Sequence, residues 1–165
     1  MSLIKSTSSF EKMVREQQAS VRRLFLNLTL GDEMLSDDLA QDTFIKAYKS
    51  WNSFRMMSSV RTWLFRIAYN TFYDYRRSLK QTSSIDSVAP VPGGSHADTS
   101  LRMDIYEAMK LLNENERVCI TLAMVDGYSM KEISKITQQT ENTVKSYIHR
   151  GKGKLANYLK QQGYE

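Results

Sequence analysis

The placement of proline constrains this chain more than any other feature, because proline removes a backbone donor and breaks helices. Both prolines of the 165-residue chain lie in one stretch, residues 81–98, which reads QTSSIDSVAPVPGGSHAD. This stretch is rich in Ser, Pro and Gly and contains neither Lys nor Arg, a composition typical of a linker. We therefore predict an N-terminal domain over residues 1–80, a flexible linker over 81–100 and a C-terminal domain over 101–165.

The N-terminal block is predicted to be helical, because it lacks proline and its apolar residues recur at the spacing of a helix. An amphipathic stripe covers residues 10–28, and Gly31 is expected to end that helix. Ser36 is the expected N-cap of a second helix, and Ser58 or Ser59 that of a third. The residues expected to face inward from the third helix are Val60, Leu64, Ile67, Ala68 and Thr71.

The C-terminal block carries four start or stop signals, which predict a first helix over 101–112 and three more after it. In order, these signals are the capping-box pair Asn113 and Glu116, Gly127 as a left-handed stop, the capping-box pair Ser129 and Glu132, and Thr140 as an N-cap. The last helix is expected to run to about Gln161. The predicted fold class is all-α, with two small helical domains.

The chain has few side chains that could bind a metal or act as nucleophiles. Cys119 is the sole cysteine and lies in an apolar run, so we expect a buried thiol that forms no disulfide. The two histidines, His96 and His149, are too far apart to give a metal-ligand spacing. We therefore expect no metal, no cofactor and no enzymatic activity.

No segment resembles a leader or a membrane span. The N-terminal residues 1–13 lack a long apolar stretch, and the longest mostly apolar run, 118–125, is far shorter than the roughly 20 residues that a spanning helix needs. We expect a cytoplasmic protein with no membrane insertion.

Charge is distributed unevenly along the chain, whose net charge is +5. Residues 31–42 contain five acids and no base, residues 55–80 contain six bases and one acid, and residues 143–160 contain five bases and no acid. A run of like charge is usually a solvated helix face. Two basic runs, each on the last helix of its block, favour nucleic acid as a partner.

Residues 130–155, MKEISKITQQTENTVKSYIHRGKGKL, have the layout of a helix-turn-helix. Val144, Ile148 and Leu155 form the apolar stripe of the second helix. The opposite face is polar and basic, as expected for a helix that enters the major groove. An ordinary helical hairpin with a solvated basic face is the alternative interpretation. The residues on that polar face are Lys145, Ser146, Tyr147, His149, Arg150 and Lys152.

Residues 50–77 mix aromatic and basic side chains to an unusual degree. Aromatic rings interleaved with arginines suit unstacked bases, since rings stack on bases and arginines bind phosphates. The alternative is that most of these rings belong to the core, which we favour for Trp63 and Phe72. For the polar stripe of Arg66, Asn70 and Arg77 we favour nucleic acid.

The chain resembles bacterial RNA polymerase sigma factors of the sigma-70 family, and within it the extracytoplasmic-function (ECF) group. Three segments carry the resemblance, in the order and spacing of the family: DDLAQDTFIKAYKSWNSF (37–54), SSVRTWLFRIAYNTFYDYRR (58–77) and the segment from Asn113 to Leu155. The resemblance implies promoter recognition, promoter melting and transcription initiation, with core RNA polymerase and promoter DNA as partners. It also implies an anti-sigma factor that masks these surfaces.

The resemblance implies three sets of site residues. The set that docks core polymerase is Asp38, Leu39, Gln41, Asp42, Phe44 and Lys46, on a surface of the second helix. The set at the melted minus-10 element is Asn52, Phe54, Arg55, Ser58, Ser59, Arg61, Thr62, Trp63, Arg66, Asn70, Arg76 and Arg77. The set that reads the duplex minus-35 element is Thr143, Lys145, Ser146, Tyr147, His149, Arg150 and Lys152.

The chain departs from the family pattern in the turn of the helix-turn-helix. The family usually has glycine there, whereas residues 137–142 read TQQTEN. We therefore expect Gln138 in a left-handed conformation at some cost in strain. Tyr147 stands where arginine is frequent, and Met56-Met57 replaces a more polar pair in the loop before the third helix.

Two other functions compete with a sigma factor. A regulator that binds an operator without core polymerase explains residues 113–155 equally well but leaves 37–77 unexplained. A DNA-processing enzyme needs a nucleophile with converging arginines or paired acids for a metal. The adjacent Asp37 and Asp38 point in different directions on a helix, so they do not provide such a pair.

Overall fold

The computed structural model describes residues 7–55, 57–82 and 99–164, with the side-chain environments of 99–103 left out. Most of the predicted linker and Met56 lie outside the described residues. Every regular element in the described part is helical, which confirms the all-α fold class.

The N-terminal half contains three long helices: α1 (Thr7–Leu28), α2 (Glu33–Ser50) and α3 (Val60–Thr82), with a 3-10 turn at Trp51–Ser53. Leu30 and Gly31 have positive φ, which reverses the chain between α1 and α2. Asp32 then caps α2 by accepting a hydrogen bond from the Leu35 amide at 3.0 Å.

The prediction that Ser36 caps α2 was wrong. Ser36 lies one turn inside the helix and is fully buried, and its hydroxyl bonds with that of Thr29 at 2.9 Å. Asp32 follows the left-handed Gly31 directly and so occupies the cap position first. The predicted cap of the third helix is confirmed at Ser59, whose Oγ accepts from the Thr62 amide at 3.1 Å.

The C-terminal half contains α4 (Thr99–Lys110), α5 (Glu114–Ile120), a π-helical turn at Thr121–Val125, α6 (Met130–Thr137) and α7 (Glu141–Gln161). Both predicted capping boxes are present, with Asn113 accepting from the Glu116 amide at 2.9 Å and Ser129 from the Glu132 amide at 3.2 Å. Gly127 follows the π turn with a φ of +73°.

The glycine-free turn of the helix-turn-helix adopts the predicted conformation. Gln138 ends α6 with φ 56° and ψ 32°, in the left-handed region. Thr140 then caps α7 by accepting from the Thr143 amide at 3.2 Å. The hydroxyl of Ser134 donates to the Gln139 carbonyl at 2.5 Å and holds the turn against α6.

The two halves pack against each other and share a continuous apolar core. Helix α3 lies against α6, and α1 lies against α5 and the π turn. In the N-terminal half Phe25 and Phe65 are fully buried, and in the C-terminal half Ile133 and Val144 are. Consequently the polar faces of α3 and α7 belong to one helical body.

Gly151 marks the closest approach of α7 to α5. A Cβ added there would lie 2.6 Å from Cγ1 of the buried Ile120, which is too close for two carbon atoms. Half a turn away, a Cβ on Gly153 would meet no described atom within 4 Å. Helix α7 therefore packs on α5 through a close contact at a glycine.

We expect Gly151→Ala to destabilise the protein relative to Gly153→Ala. Both changes gain the helix propensity of alanine, but only the first forces Ile120 to move. The free energies of unfolding, measured by urea denaturation, should differ by about 1–3 kcal/mol. Equal stability of the two variants would show that the α5–α7 contact is not tight.

Candidate nucleic-acid interface

Helix α2 presents most of the side chains expected to dock polymerase. Leu39 is an exception: the expectation of a surface position was wrong, because its side chain is only 5% exposed and packs in the core. Lys46 forms an ion pair with Asp42 at 3.1 Å and donates to the Thr71 hydroxyl at 3.3 Å. The exposed members of the set are Asp38, Gln41 and Asp42, and the half-buried ones are Phe44 and Lys46.

Phe54 and Trp63, both expected near the minus-10 element, pack in an aromatic cluster with Trp51. The rings of Phe54 and Trp63 are 4.7 Å apart, and Trp51 stacks on Phe54 at 6.4 Å. Phe54 is 8% exposed, so its ring is buried in this cluster, and its place near the minus-10 element stays a prediction. The packing role favoured for Trp63 is confirmed, and the exposed neighbours of the cluster are Asn52 and Arg55.

The beginning of α3 is organised by Ser59. Its hydroxyl caps the helix and also donates to the Thr62 hydroxyl at 2.9 Å. Thr62 is 5% exposed, because the helix turns it toward the core rather than toward solvent as we expected. Ser58 is half-buried and Ser59 is exposed, so both are near the surface in front of the helix.

The polar side chains on the outward face of α3 differ in whether they form an ion pair. Arg66 and Asn70 are exposed, and Arg77 is exposed while paired with Asp74 on the same helix. Arg76 instead pairs with Glu114 of the C-terminal half at 3.1 Å. The hydroxyl of Tyr73 donates to Oδ1 of Asn115 at 2.8 Å, so this end of α3 is fastened to the start of α5.

Asp126 forms a second junction between the halves. Its side chain is fully buried, and Oδ1 lies 3.1 Å from a guanidinium nitrogen of Arg23. Arg61 donates to the Asp126 backbone carbonyl at 2.6 Å, and its guanidinium lies 4.2 Å from the ring centroid of Tyr128. Burial raises the pKa of Asp126, and the hydrogen bond and charge of Arg23 oppose that rise.

Helix α7 turns its apolar stripe inward, as predicted. Val144 and Ile148 are buried and Leu155 is half-buried. On the polar side, Thr143 and Tyr147 are half-buried. The residues of the expected minus-35 set that are exposed are Lys145, Ser146, His149, Arg150 and Lys152.

Glu116 holds one flank of α7 through a buried carboxylate. Its side chain is 2% exposed and lies 2.7 Å from Nζ of Lys154 and 3.9 Å from Nε of Arg150. Arg150 also lies 5.2 Å from the ring of Tyr147. Sequence analysis recognised Glu116 only as part of a capping box and gave no sign of this second role.

Burial acts to raise the pKa of Glu116, but other interactions with its charged form outweigh that effect. The hydrogen bond from Lys154, the backbone amide of Asn113 and the charge of Arg150 lower the pKa below its ordinary value of 4.5. The carboxylate is therefore ionised at neutral pH and attracts both cations of α7.

An apolar groove of about 350 Å³ opens on the C-terminal half, which sequence analysis did not foresee. Helices α4 and α7 and the π turn form its walls, and Ile105, Met124 and Leu159 expose 42–58% of their surface there. Exposed apolar side chains gathered in one concave surface mark a protein-binding site more often than chance. The one sign of the groove in the sequence is that positions 105, 124 and 159 are apolar.

The described residues give no sign of a catalytic or metal centre. They contain no group of three potential metal ligands. Burial raises the pKa of the Cys119 thiol to about 12, so the thiolate that reacts or binds metal is not formed at neutral pH. Among the same residues, none of the helices combines the length and apolar content needed to cross a bilayer.

We expect Glu116→Gln to reduce the acid sensitivity of the fold. Because the folded-state pKa of Glu116 lies below the unfolded value, its ionisation stabilises the protein above about pH 4.5 and is lost as pH falls through the folded-state pKa. Glutamine keeps the capping-box hydrogen bonds but does not titrate. Urea unfolding at pH 7 and at pH 3–4 should show a smaller loss of stability in the variant, and an equal loss in both proteins would contradict the assignment.

Comparisons with known proteins agree on both halves of the chain. The family model described as Sigma-70 region 2 matches residues 13–82, and the one described as Sigma-70, region 4 matches residues 102–155. An ECF RNA polymerase sigma-E factor from Salmonella typhimurium is 33% identical over 73% of this chain and 71% of its own length. The ECF RNA polymerase sigma factor SigE from Mycolicibacterium smegmatis is 28% identical over 95% of this chain, which spans 64% of that relative.

Solved structures give the same result. The sigma factor RpoE in complex with the anti-sigma factor NepR, from Bartonella quintana, matches with a TM-score of 0.78 and 27% identity over 93% of this chain and 98% of that one. CnrH in complex with the cytosolic domain of CnrY matches with a TM-score of 0.72 and 22% identity over 95% of this chain and 91% of that one. The second likeness concerns the fold alone.

Proposed function

We propose a division of labour for this chain, which belongs to the sigma-70 family of RNA polymerase sigma factors and, within it, to the ECF group. In this proposal α2 docks core polymerase, α3 with the loop before it holds the melted minus-10 element, and α7 reads the minus-35 duplex. The observation that carries it is the separation of one acidic and two basic exposed faces on three helices of one body. The chain supplies binding energy, and the polymerase performs the chemistry.

The docking surface on α2 consists of Asp38, Gln41 and Asp42, with Lys46 and Phe44 at its edge. The carboxylates suit a basic surface on the polymerase, since complementary charges steer association and fix register. Leu39 and Thr43 pack beneath this surface and hold α2 rigid against the core.

Melting is assigned to the exposed side chains on and before α3. Arg55, Arg66 and Arg77 are placed to bind phosphates, while Asn70 offers both a donor and an acceptor to a base edge. Binding an unstacked strand better than a duplex lowers the free energy of the open state and so favours opening. Asn52 and Ser59 border the same surface, at the end of the loop that precedes α3.

Duplex reading is assigned to α7. Ser146 and His149 are exposed opposite the apolar stripe, at the position where a recognition helix meets base edges. Lys145, Arg150 and Lys152 flank them and suit phosphates or guanine edges. When one polymerase holds both α3 and α7, binding of the second promoter element becomes effectively intramolecular. Neither helix then needs high affinity for DNA alone.

An anti-sigma factor is the proposed regulatory partner. The Bartonella quintana relative is in complex with one, and the apolar groove between α4 and α7 offers this chain a surface for an amphipathic helix of such a protein. A cytoplasmic location follows from the proposal, because RNA polymerase and promoter DNA are there. A regulator that binds an operator alone is disfavoured, since it gives no reason for the region 2 match at 13–82.

Replacing both Asp38 and Asp42 with alanine should weaken binding to core polymerase. Both carboxylates are exposed on the proposed docking surface, so their removal should lower affinity roughly tenfold, or about 1.4 kcal/mol. Affinity can be measured by fluorescence anisotropy with labelled chain and purified core enzyme. The matched control is Glu11→Ala with Glu16→Ala, which removes two exposed carboxylates from α1.

If wild-type chain does not bind core polymerase at all, the proposed function fails. If the control pair weakens binding as much as the docking pair, the surface is placed on the wrong helix.

Asn70→Ala and Arg150→Ala should impair different steps of initiation. Asn70→Ala is expected to reduce promoter opening on duplex templates, with recovery on a template whose minus-10 region is already unpaired. Arg150→Ala should weaken binding to both templates, since it acts on duplex DNA. Open complexes can be followed by permanganate reactivity and total binding by filter retention, with Lys160→Ala at the exposed end of α7 as control. A defect of Asn70→Ala that is equal on the two templates, or recovery of Arg150→Ala on the unpaired template, would contradict the division of labour.

A further inference from the structure

Arg150 of α7 has two partners that restrict where its guanidinium group lies. The guanidinium carbon is 5.2 Å from the ring centroid of Tyr147, three residues earlier on the same helix. A cation and an aromatic face attract each other at this distance. Nε of Arg150 is also 3.9 Å from Oε1 of Glu116 on α5. The side chain of Arg150 is therefore held by a ring and a carboxylate while 56% of its surface stays exposed.

The carboxylate of Glu116 is itself fixed within the C-terminal half. Its Oε2 accepts hydrogen bonds from the Asn113 amide at 3.0 Å and from Nζ of Lys154 at 2.7 Å. The side chain is 2% exposed, so it forms a buried anchor on α5. The close approach of α7 to α5 at Gly151 brings the flank of α7 that carries Arg150 and Lys154 within reach of this anchor.

We propose that Glu116 and Tyr147 are positioning residues for base recognition: they hold Arg150 so that its two terminal nitrogens meet a guanine in the major groove of the minus-35 duplex. The proposal deepens the proposed function and rests on it, because that function gives α7 to duplex DNA. It assigns Arg150 to a guanine edge rather than to a phosphate. It also makes Tyr147 a support for Arg150 rather than a reader of bases.

The contacts of Arg150 leave available the edge of the guanidinium group that suits guanine. O6 and N7 of guanine accept two hydrogen bonds from one arginine, and the two terminal nitrogens can donate both. The nitrogen of Arg150 that lies closest to Glu116 is Nε, and a separation of 3.9 Å is an ion pair without a hydrogen bond. The carboxylate therefore does not consume the donors that a guanine needs.

Restriction of the guanidinium group before DNA arrives favours selectivity for a base. An unrestrained arginine side chain loses the freedom of several rotatable bonds when it docks, and this loss of entropy opposes binding. A ring and a carboxylate that already restrict Arg150 reduce the entropy that is left to lose. Because the guanidinium group is planar, fixing its orientation also fixes the direction of its paired hydrogen bonds.

Lys154 prevents Glu116 from binding Arg150 too tightly. A buried carboxylate that lacks another cation would attract the nearest guanidinium group into a direct, charge-assisted hydrogen bond. In this structure Lys154 lies 2.7 Å from Oε2, and Arg150 remains 3.9 Å from Oε1. The carboxylate thus orients the guanidinium group without competing strongly with a base for it.

The test compares the base preferences of holoenzymes assembled from purified core polymerase and full-length chain. Duplex templates randomised across the promoter region are bound to each holoenzyme, and the retained templates are sequenced. Wild type should prefer guanine at one minus-35 position by about tenfold, and Arg150→Ala should abolish that preference. Glu116→Gln and Tyr147→Leu should each reduce the same preference roughly threefold or more, with the preferences at other positions unchanged.

Two further variants separate positioning from other roles. Tyr147→Phe keeps the ring and removes the hydroxyl, so it should rescue the guanine preference that Tyr147→Leu loses. Glu132→Gln is the matched control for Glu116→Gln, because Glu132 completes the capping box of α6 by accepting from the Ser129 amide at 2.8 Å. A general loss of packing would weaken binding to all templates alike and would leave the preference at one position unchanged.

Four outcomes would overturn the proposal. The first is a wild-type holoenzyme without a guanine preference in the minus-35 element, and the second is an unchanged preference in both Glu116→Gln and Tyr147→Leu. The third is a failure of Tyr147→Phe to rescue, which would assign the Tyr147 hydroxyl to direct reading. The fourth is an equal loss of affinity for every sequence in Arg150→Ala, which would assign Arg150 to a phosphate and leave α7 its place in the proposed function. If the wild-type chain forms no holoenzyme, the proposed function itself fails, and this inference fails with it.

Discussion

An arginine side chain keeps its positive charge at every physiological pH, so each arginine on α3 needs an anion, a carbonyl or water at all times. That requirement shapes the polar part of the contact between the two halves. Arg61 and Arg76 take their partners from the C-terminal half, Arg77 takes Asp74 on its own helix, and Arg66 remains exposed. Two arginines of α3 therefore help to hold the two halves together.

Local signals in the sequence predicted the helices well, because caps and stops act over three or four residues. The pairs Asn113 with Glu116 and Ser129 with Glu132, and the left-handed Gln138, all appear in the structure as predicted. Ser36 failed as a cap because Asp32, four residues earlier, follows a left-handed glycine and reaches the amides first. Such competition between two good capping residues depends on the turn conformation, which composition alone does not determine.

Site residues were harder to predict, because exposure depends on which side of a helix meets a neighbour. Leu39 and Thr62 were expected at surfaces, and each is instead among the buried residues. The apolar groove and the junction at Asp126 could not be found from sequence, since both arise where segments distant in the chain meet. Arg23, on a helix with no expected DNA role, contacts Asp126 across 103 residues of sequence. Periodicity gives the apolar face of a helix but not the identity of what covers its polar face.

Glu116 and Asp126 are two buried carboxylates of the C-terminal half that take their partners from different parts of the molecule. Glu116 receives Lys154, the Asn113 amide and Arg150 from its own half, and these interactions lower its pKa despite burial. Its ion pairs lie within the C-terminal half and hold α7 against α5. Asp126 depends on Arg23 and Arg61 of the other half, and burial raises its pKa. The fold thus uses one buried carboxylate to hold α7 within the C-terminal half and the other to join the two halves.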